Sequence, residues 1–180
     1  MIEIRIHGRG GQGVVTAAEL IAMAAFYEGF EAQAFPNFGV ERRGAPIEAY
    51  ARISDKPIKL RSQIYEPDII VVQDDSLLSV VDVFKGIKKD TKVIINSDKK
   101  LEDIFKTGCP VPTKNIATIS ATKIALEILG KPIINTVMLG FFAKFSGLIK
   151  AESINKALKD KFKGEILKKN IRAVEYAYEI

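Results

Sequence analysis

Residues 2–7 alternate isoleucine with polar side chains (Ile2-Glu3-Ile4-Arg5-Ile6-His7), a period of two that predicts a strand. From Val14 to Glu28 the apolar residues Val15, Ala18, Ile21, Ala22 and Ala25 recur at helical spacing, and Gly29 stands where such a helix would stop. Glu31 to Phe35 reads as a short strand. Pro36-Asn37-Phe38-Gly39 then reads as a turn and Gly44-Ala45-Pro46 as a second break. Ile47 to Ile53 alternates again, which predicts a strand with one wet face. Asp68 to Gln73 is a nearly continuous apolar run, the pattern of a strand covered on both faces, and Lys92 to Asn96 is another. Leu77 to Ile87 predicts a helix, Asn115 to Ser120 a weaker strand, and Ala121 to Leu129 a helix ended by Gly130. Residues 133–149, 151–163 and 165–179 predict three more helices.

Strands that alternate with helices through the first two thirds predict an α/β fold. The expected architecture is a single domain over residues 1–180, a Rossmann-like three-layer sandwich. Its sheet is mostly parallel, with a hairpin-like excursion over residues 30–54 and a helical C-terminal part.

Composition narrows the chemistry. At 180 residues, 47% hydrophobic and 27% charged, the chain has the make-up of one ordinary globular domain. It holds one cysteine, Cys109, and one histidine, His7. An iron–sulfur cluster takes four thiolates, and zinc fingers and disulfide frameworks need several cysteines or histidines, so this chain builds none of them alone. The net charge of +5 favours an anionic partner. Pro132 to Ile149 is the most apolar stretch, but Lys131, Lys144 and Lys150 cut it well below the ~20 residues of a membrane span. The charged alternation at the N-terminus is unlike a secretory leader. A cytoplasmic setting and no membrane partner are therefore expected.

Gly8-Arg9-Gly10-Gly11-Gln12-Gly13 fits G-x-G-x-x-G, directly after a predicted strand and at the start of a predicted helix. Glycines there permit a tight turn and close approach to the backbone, and the helix start offers unpaired N–H groups to an anion. Arg9 would add a direct phosphate contact. A simpler reading is that the glycines only let strand and helix cross closely. A nicotinamide dinucleotide asks for an acidic residue about 20 positions on, at a strand end; Glu28 and Glu31 stand near that distance but not at such an end. The second constellation is Phe38-Gly39-Val40-Glu41-Arg42-Arg43-Gly44-Ala45-Pro46. Two adjacent guanidinium groups in a glycine-flanked loop suit bidentate phosphate or carboxylate contacts; the alternative is an exposed charged turn. His7 is placed at a strand's carboxyl end, where ligands of open α/β sheets bind, although a lone histidine is commonly structural. Asp74 and Asp75, at the carboxyl end of the buried strand 68–73, suit a hydrogen-bond acceptor pair or the N-cap of the helix that follows. Cys109 has no nucleophile's partners, and Lys159 to Lys169 suits the wet faces of amphipathic helices. No Walker sequence or G-x-S-x-G is present. The residues describe a binding loop without a set of catalytic groups.

The glycine loop with Thr16-Ala17-Ala18-Glu19, then Ala34-Phe35-Pro36 and Phe38 to Pro46, resembles the gamma subunits of the 2-oxoacid:ferredoxin oxidoreductases. The Val-Glu-Arg-Arg-Gly-Ala-Pro form is more similar to the pyruvate:ferredoxin oxidoreductase (pyruvate synthase) branch than to the 2-oxoglutarate branch. The resemblance is dense over residues 2–53. It implies an enzyme subunit, inactive alone, in a complex that interconverts pyruvate, coenzyme A and oxidised ferredoxin with acetyl-CoA, carbon dioxide and reduced ferredoxin. It further implies alpha, beta and delta subunits as partners, with thiamine diphosphate and [4Fe-4S] clusters held by those subunits, and ferredoxin met through the complex. Nucleic acid is not expected. Carried over residue by residue, Gly8, Arg9, Gly10, Gly11, Gln12 and Gly13, with Glu41, Arg42, Arg43 and Gly44, would contact coenzyme A, bound as a substrate.

Three other readings stand beside this one. They are a freestanding NAD(P)-binding protein, a structural subunit whose loop 36–46 docks on a partner without a small ligand, and the sister enzyme acting on 2-oxoglutarate or branched-chain 2-oxoacids.

Overall fold

A computed structural model of the chain describes residues 1–37 and 43–180. Six strands form one sheet: β1 (Ile2–Arg9), β2 (Glu31–Pro36), β3 (Pro46–Ser54), β4 (Ile69–Val72), β5 (Lys92–Asn96) and β6 (Ile116–Ile119). Their spatial order is β2-β3-β1-β4-β5-β6. β1, β4, β5 and β6 pair in parallel, while β3 is antiparallel to both β1 and β2. The excursion between the first helix and β4 is thus a hairpin laid on one side of a parallel sheet, as the two-period segments predicted.

Side chains alternate across the pleat, so each strand divides its residues between two layers. Ile4 and Ile6 of β1 join Ala49, Ala51 and Ile53 of β3 on one face. That face is covered by α1 (Val14–Tyr27), α3 (Ala121–Leu129), α4 (Asn135–Ser146), α5 (Ala151–Lys161) and α6 (Gly164–Glu179). Leu20 and Ile21 of α1 are fully buried here, each worth roughly 2 kcal/mol of transfer free energy. At the α4–α6 crossing, a Cβ on Gly140 would stand 2.2 Å from the Val174 carbonyl oxygen. Only a glycine allows the two helices this approach.

The second face is built differently. Ile70, Val72, Val93 and Ile95 meet Leu77, Val83 and Val111 in a smaller core. Its cover is a 3₁₀ turn at Asp75–Ser79, irregular chain, and the one-turn α2 (Leu101–Ile104). The helix expected over 77–87 does not form beyond that turn. The carbonyls of Val83 and Lys85, which a helix would use internally, accept from the buried Arg5 guanidinium at 3.0 and 2.6 Å. Gly86 also takes a positive φ of 74° against the Tyr65 carbonyl, and Val80, Val81 and Val83 are β-branched.

The wet face expected for β3 is also dry. Tyr50 and Arg52 are 2% and 1% exposed. Segment 55–68 folds over them, and Arg52 is paid out in contacts: Glu3 Oε1 at 2.8 Å, Gln33 Oε1 at 3.2 Å, the Ser62 carbonyl at 2.7 Å, and the Phe35 ring. A buried charge persists only with such a full set of partners. Among the described residues no helix is long and apolar enough to cross a membrane.

Candidate functional site

The chain leaves β1 towards α1 on one face and leaves β4 towards the Asp75–Ser79 turn on the other. Two parallel neighbours whose connections diverge open a crevice at their carboxyl ends, where ligands of open α/β sheets bind. The glycine loop lies at that crevice. Gln12 N donates to the Arg9 carbonyl at 3.0 Å, a turn whose third position, Gly11, takes a φ of 96°. Gly13, at φ 73°, precedes α1, which has no side-chain cap and no acidic residue in its first turn. The helix start therefore keeps its partial positive charge. At Gly8 the reason for glycine is contact: a Cβ there would lie 2.4 Å from Val14 Cγ2 and 3.1 Å from Gln73 Oε1.

The second motif is brought to the first. Gly10 and Arg43 form an isolated parallel bridge. Gly10 N donates to the Ala45 carbonyl at 2.9 Å, and Gly44 N donates to the Gly10 carbonyl at 3.1 Å. Arg43 is exposed beside the glycine turn. Glu41 and Arg42, also singled out from the sequence, lie outside the described residues, as do Phe38, Gly39 and Val40.

Arg9 is placed differently from the direct phosphate contact expected of it. Its guanidinium donates to Asp74 Oδ2 at 3.1 Å, the Gly44 carbonyl at 3.0 Å and Ser76 Oγ at 2.8 Å. One side chain so ties together the loops that follow β1, β2 and β4. Gln12 helps: its Oε1 accepts from Arg9 N at 2.7 Å and its Nε2 donates to Asp74 Oδ2 at 3.1 Å. Asp74 caps the 3₁₀ turn by accepting from Ser76 N, as its position suggested. Partial burial pushes its carboxyl up, but hydrogen bonds from Ser76 and Gln12 and the Arg9 charge outweigh this and hold it below the usual range.

His7 does not reach this site. It is 1% exposed on the second face. Its Nε2 accepts from Arg5 Nε at 3.2 Å, and its Nδ1 stands 3.5 Å from Glu48 Oε1. Burial lowers it to about 4, so it is a neutral acceptor in a structural network with Glu48 and Tyr50. Cys109 sits against the smaller core, and Lys159 to Lys169 belong to the outer helices.

Sequence reasoning passed over the rest of the crevice. A cleft of about 580 Å³ lies at the carboxyl ends of β4, β5 and β6, lined by Gln12, Gln73, Asp75, Asn96, Thr122 and Ile134 among others. The one available signal was a polar residue, Gln73, closing the apolar run of β4.

The chain as a whole is similar to known proteins. A family model described as pyruvate ferredoxin/flavodoxin oxidoreductase matches residues 3–180. The "pyruvate/ketoisovalerate oxidoreductases common subunit gamma" of Pyrococcus furiosus is 56% identical over 179 residues, 99% of this chain and 96% of that protein. The "pyruvate synthase subunit PorC" of Methanocaldococcus jannaschii is 55% identical over 179 residues, with the same two coverages of 99% and 96%. Among solved structures, pyruvate oxidoreductase subunit PORC from Thermotoga maritima superposes with a TM-score of 0.87 at 36% identity, covering 99% of this chain and 95% of that one. The 2-oxoglutarate:ferredoxin oxidoreductase from Magnetococcus marinus, with 2-oxoglutarate, coenzyme A and succinyl-CoA bound, shares the fold. Its TM-score is 0.76 at 20% identity, over 99% of this chain and 30% of that one.

Proposed function

We propose that this chain, which belongs to the pyruvate ferredoxin/flavodoxin oxidoreductase family, is the gamma subunit of a pyruvate:ferredoxin oxidoreductase and holds coenzyme A for the acyl transfer. The observation that carries the coenzyme A reading is the Gly10–Arg43 bridge, which sets an exposed guanidinium beside a glycine turn and an uncapped helix start. Backbone N–H groups, the helix dipole and arginine all favour phosphate. Gly8 and Gly13 keep the backbone close, Gly11 turns it, and Gly44 locks the arginine loop to Gly10. Glu41 and Arg42 belong to this seat in the same reading. Arg9 and Gln12 act from behind by fixing the loops.

The common gamma subunit of Pyrococcus furiosus bears a name that joins pyruvate and ketoisovalerate enzymes. A subunit serving both is suited to a reactant that both share, such as coenzyme A, and not to the 2-oxoacid. In this reading the alpha and beta subunits carry thiamine diphosphate, [4Fe-4S] clusters sit in partner subunits, the delta subunit passes electrons to ferredoxin, and the complex works in the cytoplasm. Thiamine diphosphate supplies the acyl-bearing carbon there. This chain contributes position: anchored phosphates hold the thiol at a fixed reach, which lowers the entropic part of the barrier by several kcal/mol (roughly 7 at the low end for well-oriented partners).

The test is the coenzyme A dependence of the assembled enzyme. Arg43→Ala, alone and with Arg42→Ala, is expected to raise KM for coenzyme A about ten-fold or more, with subunit stoichiometry unchanged. Broken assembly with a normal coenzyme A dependence would instead favour a docking role for loop 36–46.

A further inference from the structure

The positive charge of the chain is concentrated in one place. Residues 156–172 hold seven lysines and arginines against two acids, which is the whole net charge of +5; the rest of the chain carries twenty of each sign. This stretch is the second half of α5, the joint, and the first half of α6. All seven cations are exposed. Asn155 Nδ2 donates to Glu175 Oε1 at 3.0 Å, so the two helices lie side by side and their cations share one ridge.

The local acids answer little of this charge. Asp160 accepts from the Tyr27 hydroxyl, Glu165 pairs with Lys168, and Lys161 pairs with Glu19. Lys156, Lys159, Lys163, Lys169 and Arg172 form no ion pair among the described residues. The fold itself gains nothing from their grouping. Lys156 with Lys159, and Lys169 with Arg172, are like charges three residues apart on a helix, which repel. Lys163 stands at the N-cap of α6, the positive end of that helix.

The ridge restricts what can cover it. The apolar sides of both helices are spent in the core, with Ile154, Leu158 and Val174 fully buried, so no face is left to enter a bilayer. A second copy would bring the same charge and be repelled. The centre of a permanent subunit interface is depleted in lysine, whereas rings of exposed charge govern the rate and orientation of transient encounters. Lysine also outnumbers arginine here six to one, and arginine is the better fit to phosphate groups. The partner that remains is a protein with a carboxylate-rich face that comes and goes. Ile166, 62% exposed between Lys163 and Lys169, offers it an apolar contact.

We infer that the α5–α6 ridge is the docking face for the protein that takes electrons from the complex. This rests on the reading above, in which that acceptor is the ferredoxin of the family's description. The ridge carries no electron; it gathers and orients the acceptor beside the partner subunit that does.

The test is ferredoxin reduction by the assembled complex with pyruvate and coenzyme A saturating, followed against ionic strength. Lys156→Glu, Lys159→Glu, Lys169→Glu and Arg172→Glu together are expected to lower kcat/KM for ferredoxin about ten-fold or more at low salt and to flatten or reverse its salt dependence. Methyl viologen, a cation that needs no basic docking face, should be reduced at the native rate, with KM for coenzyme A unchanged. The same four positions changed to Gln, with a several-fold loss expected, serve where charge reversal disturbs the fold. Ferredoxin kinetics and a salt dependence like those of the native complex overturn this inference alone. So does an equal loss with viologen, which would place the effect on catalysis, and so does loss of a subunit on size exclusion, which would make the ridge a permanent interface. A native complex that reduces no ferredoxin with pyruvate takes away the reading above and this inference with it.

Discussion

Arg9 Nε donates to Asp74 Oδ2 at 3.1 Å, and this one ion pair couples the loop after β1 to the loop after β4 across the crevice. Both side chains are about a quarter exposed, at 28% and 22%, so solvent screens the pair and its direct worth is about 1 kcal/mol. Its larger effect is positional. Arg9→Ala and Asp74→Asn should each raise KM for coenzyme A several-fold while costing about 1 kcal/mol of stability. Because the two share one contact, the double variant should cost less than the sum of the single ones. Additive losses would show that the two residues act separately.

The same pair has a pH limit. The Asp74 carboxyl is held below its unfolded value. Its contribution is therefore complete above the unfolded pKa of about 3.9 and is lost as pH falls through the lower folded value. Protection of the Arg9, Gly10 and Gln12 amides against exchange, taken relative to the intrinsic rate, should hold down to about pH 4 and fall below it. In Asp74→Asn the step should be absent.

His7 acts in the same direction at milder pH. Burial lowers it to about 4, against an unfolded value of about 6.5. Between these values the unfolded chain binds the proton that the folded chain refuses. Stability should therefore fall as pH drops from about 6.5 towards 4, by roughly 3 kcal/mol in all. Above pH 5 most carboxylates remain ionised, so this part of the slope belongs mainly to His7. Chemical denaturation across pH 7 to 5 should show the slope in the native chain and a flatter one in His7→Asn.

The glycines of the loop should separate by mechanism. Gly11 has open space around it and a φ of 96°, so Gly11→Ala brings backbone strain alone, about 1–2 kcal/mol. Gly8→Ala puts a methyl group into Val14, a stiff, buried side chain at the start of α1, and overpacking of that kind costs about 1–3 kcal/mol. Near-ultraviolet circular dichroism should register the core shift in the Gly8 variant and leave the Gly11 variant native-like.

Gly140→Ala tests the helical layer away from the site. The new Cβ would meet backbone atoms of Val174, which have no rotamer to yield. A loss of at least about 2 kcal/mol is expected, read as a lowered denaturation midpoint, with KM for coenzyme A unaltered in whatever complex assembles.

Much of the site was visible in the chain itself. The glycine spacing between strand and helix located the crevice, because Gly8, Gly11 and Gly13 answer local demands of contact and φ that no other residue meets as well. Gln73 was not visible. A glutamine just past a strand looks alike whether solvent or protein satisfies it, and only the three-dimensional surroundings leave its amide unpaired among the described residues.

The order of the strands, the hairpin of β2 and β3, and the position of the glycine turn were all determined by the sequence alone, because periodicity and backbone freedom act over neighbouring residues. Tertiary structure decided three further things. It brought Arg43 onto Gly10, it buried the polar side of β1 and β3, and it turned Arg9 from a presumed phosphate ligand into a brace. Alternation tells which residues share a face but not whether water reaches it. That depends on segments without a period, such as 55–68 and 80–91, whose carbonyls meet Arg52 and Arg5 only once the chain has closed on itself.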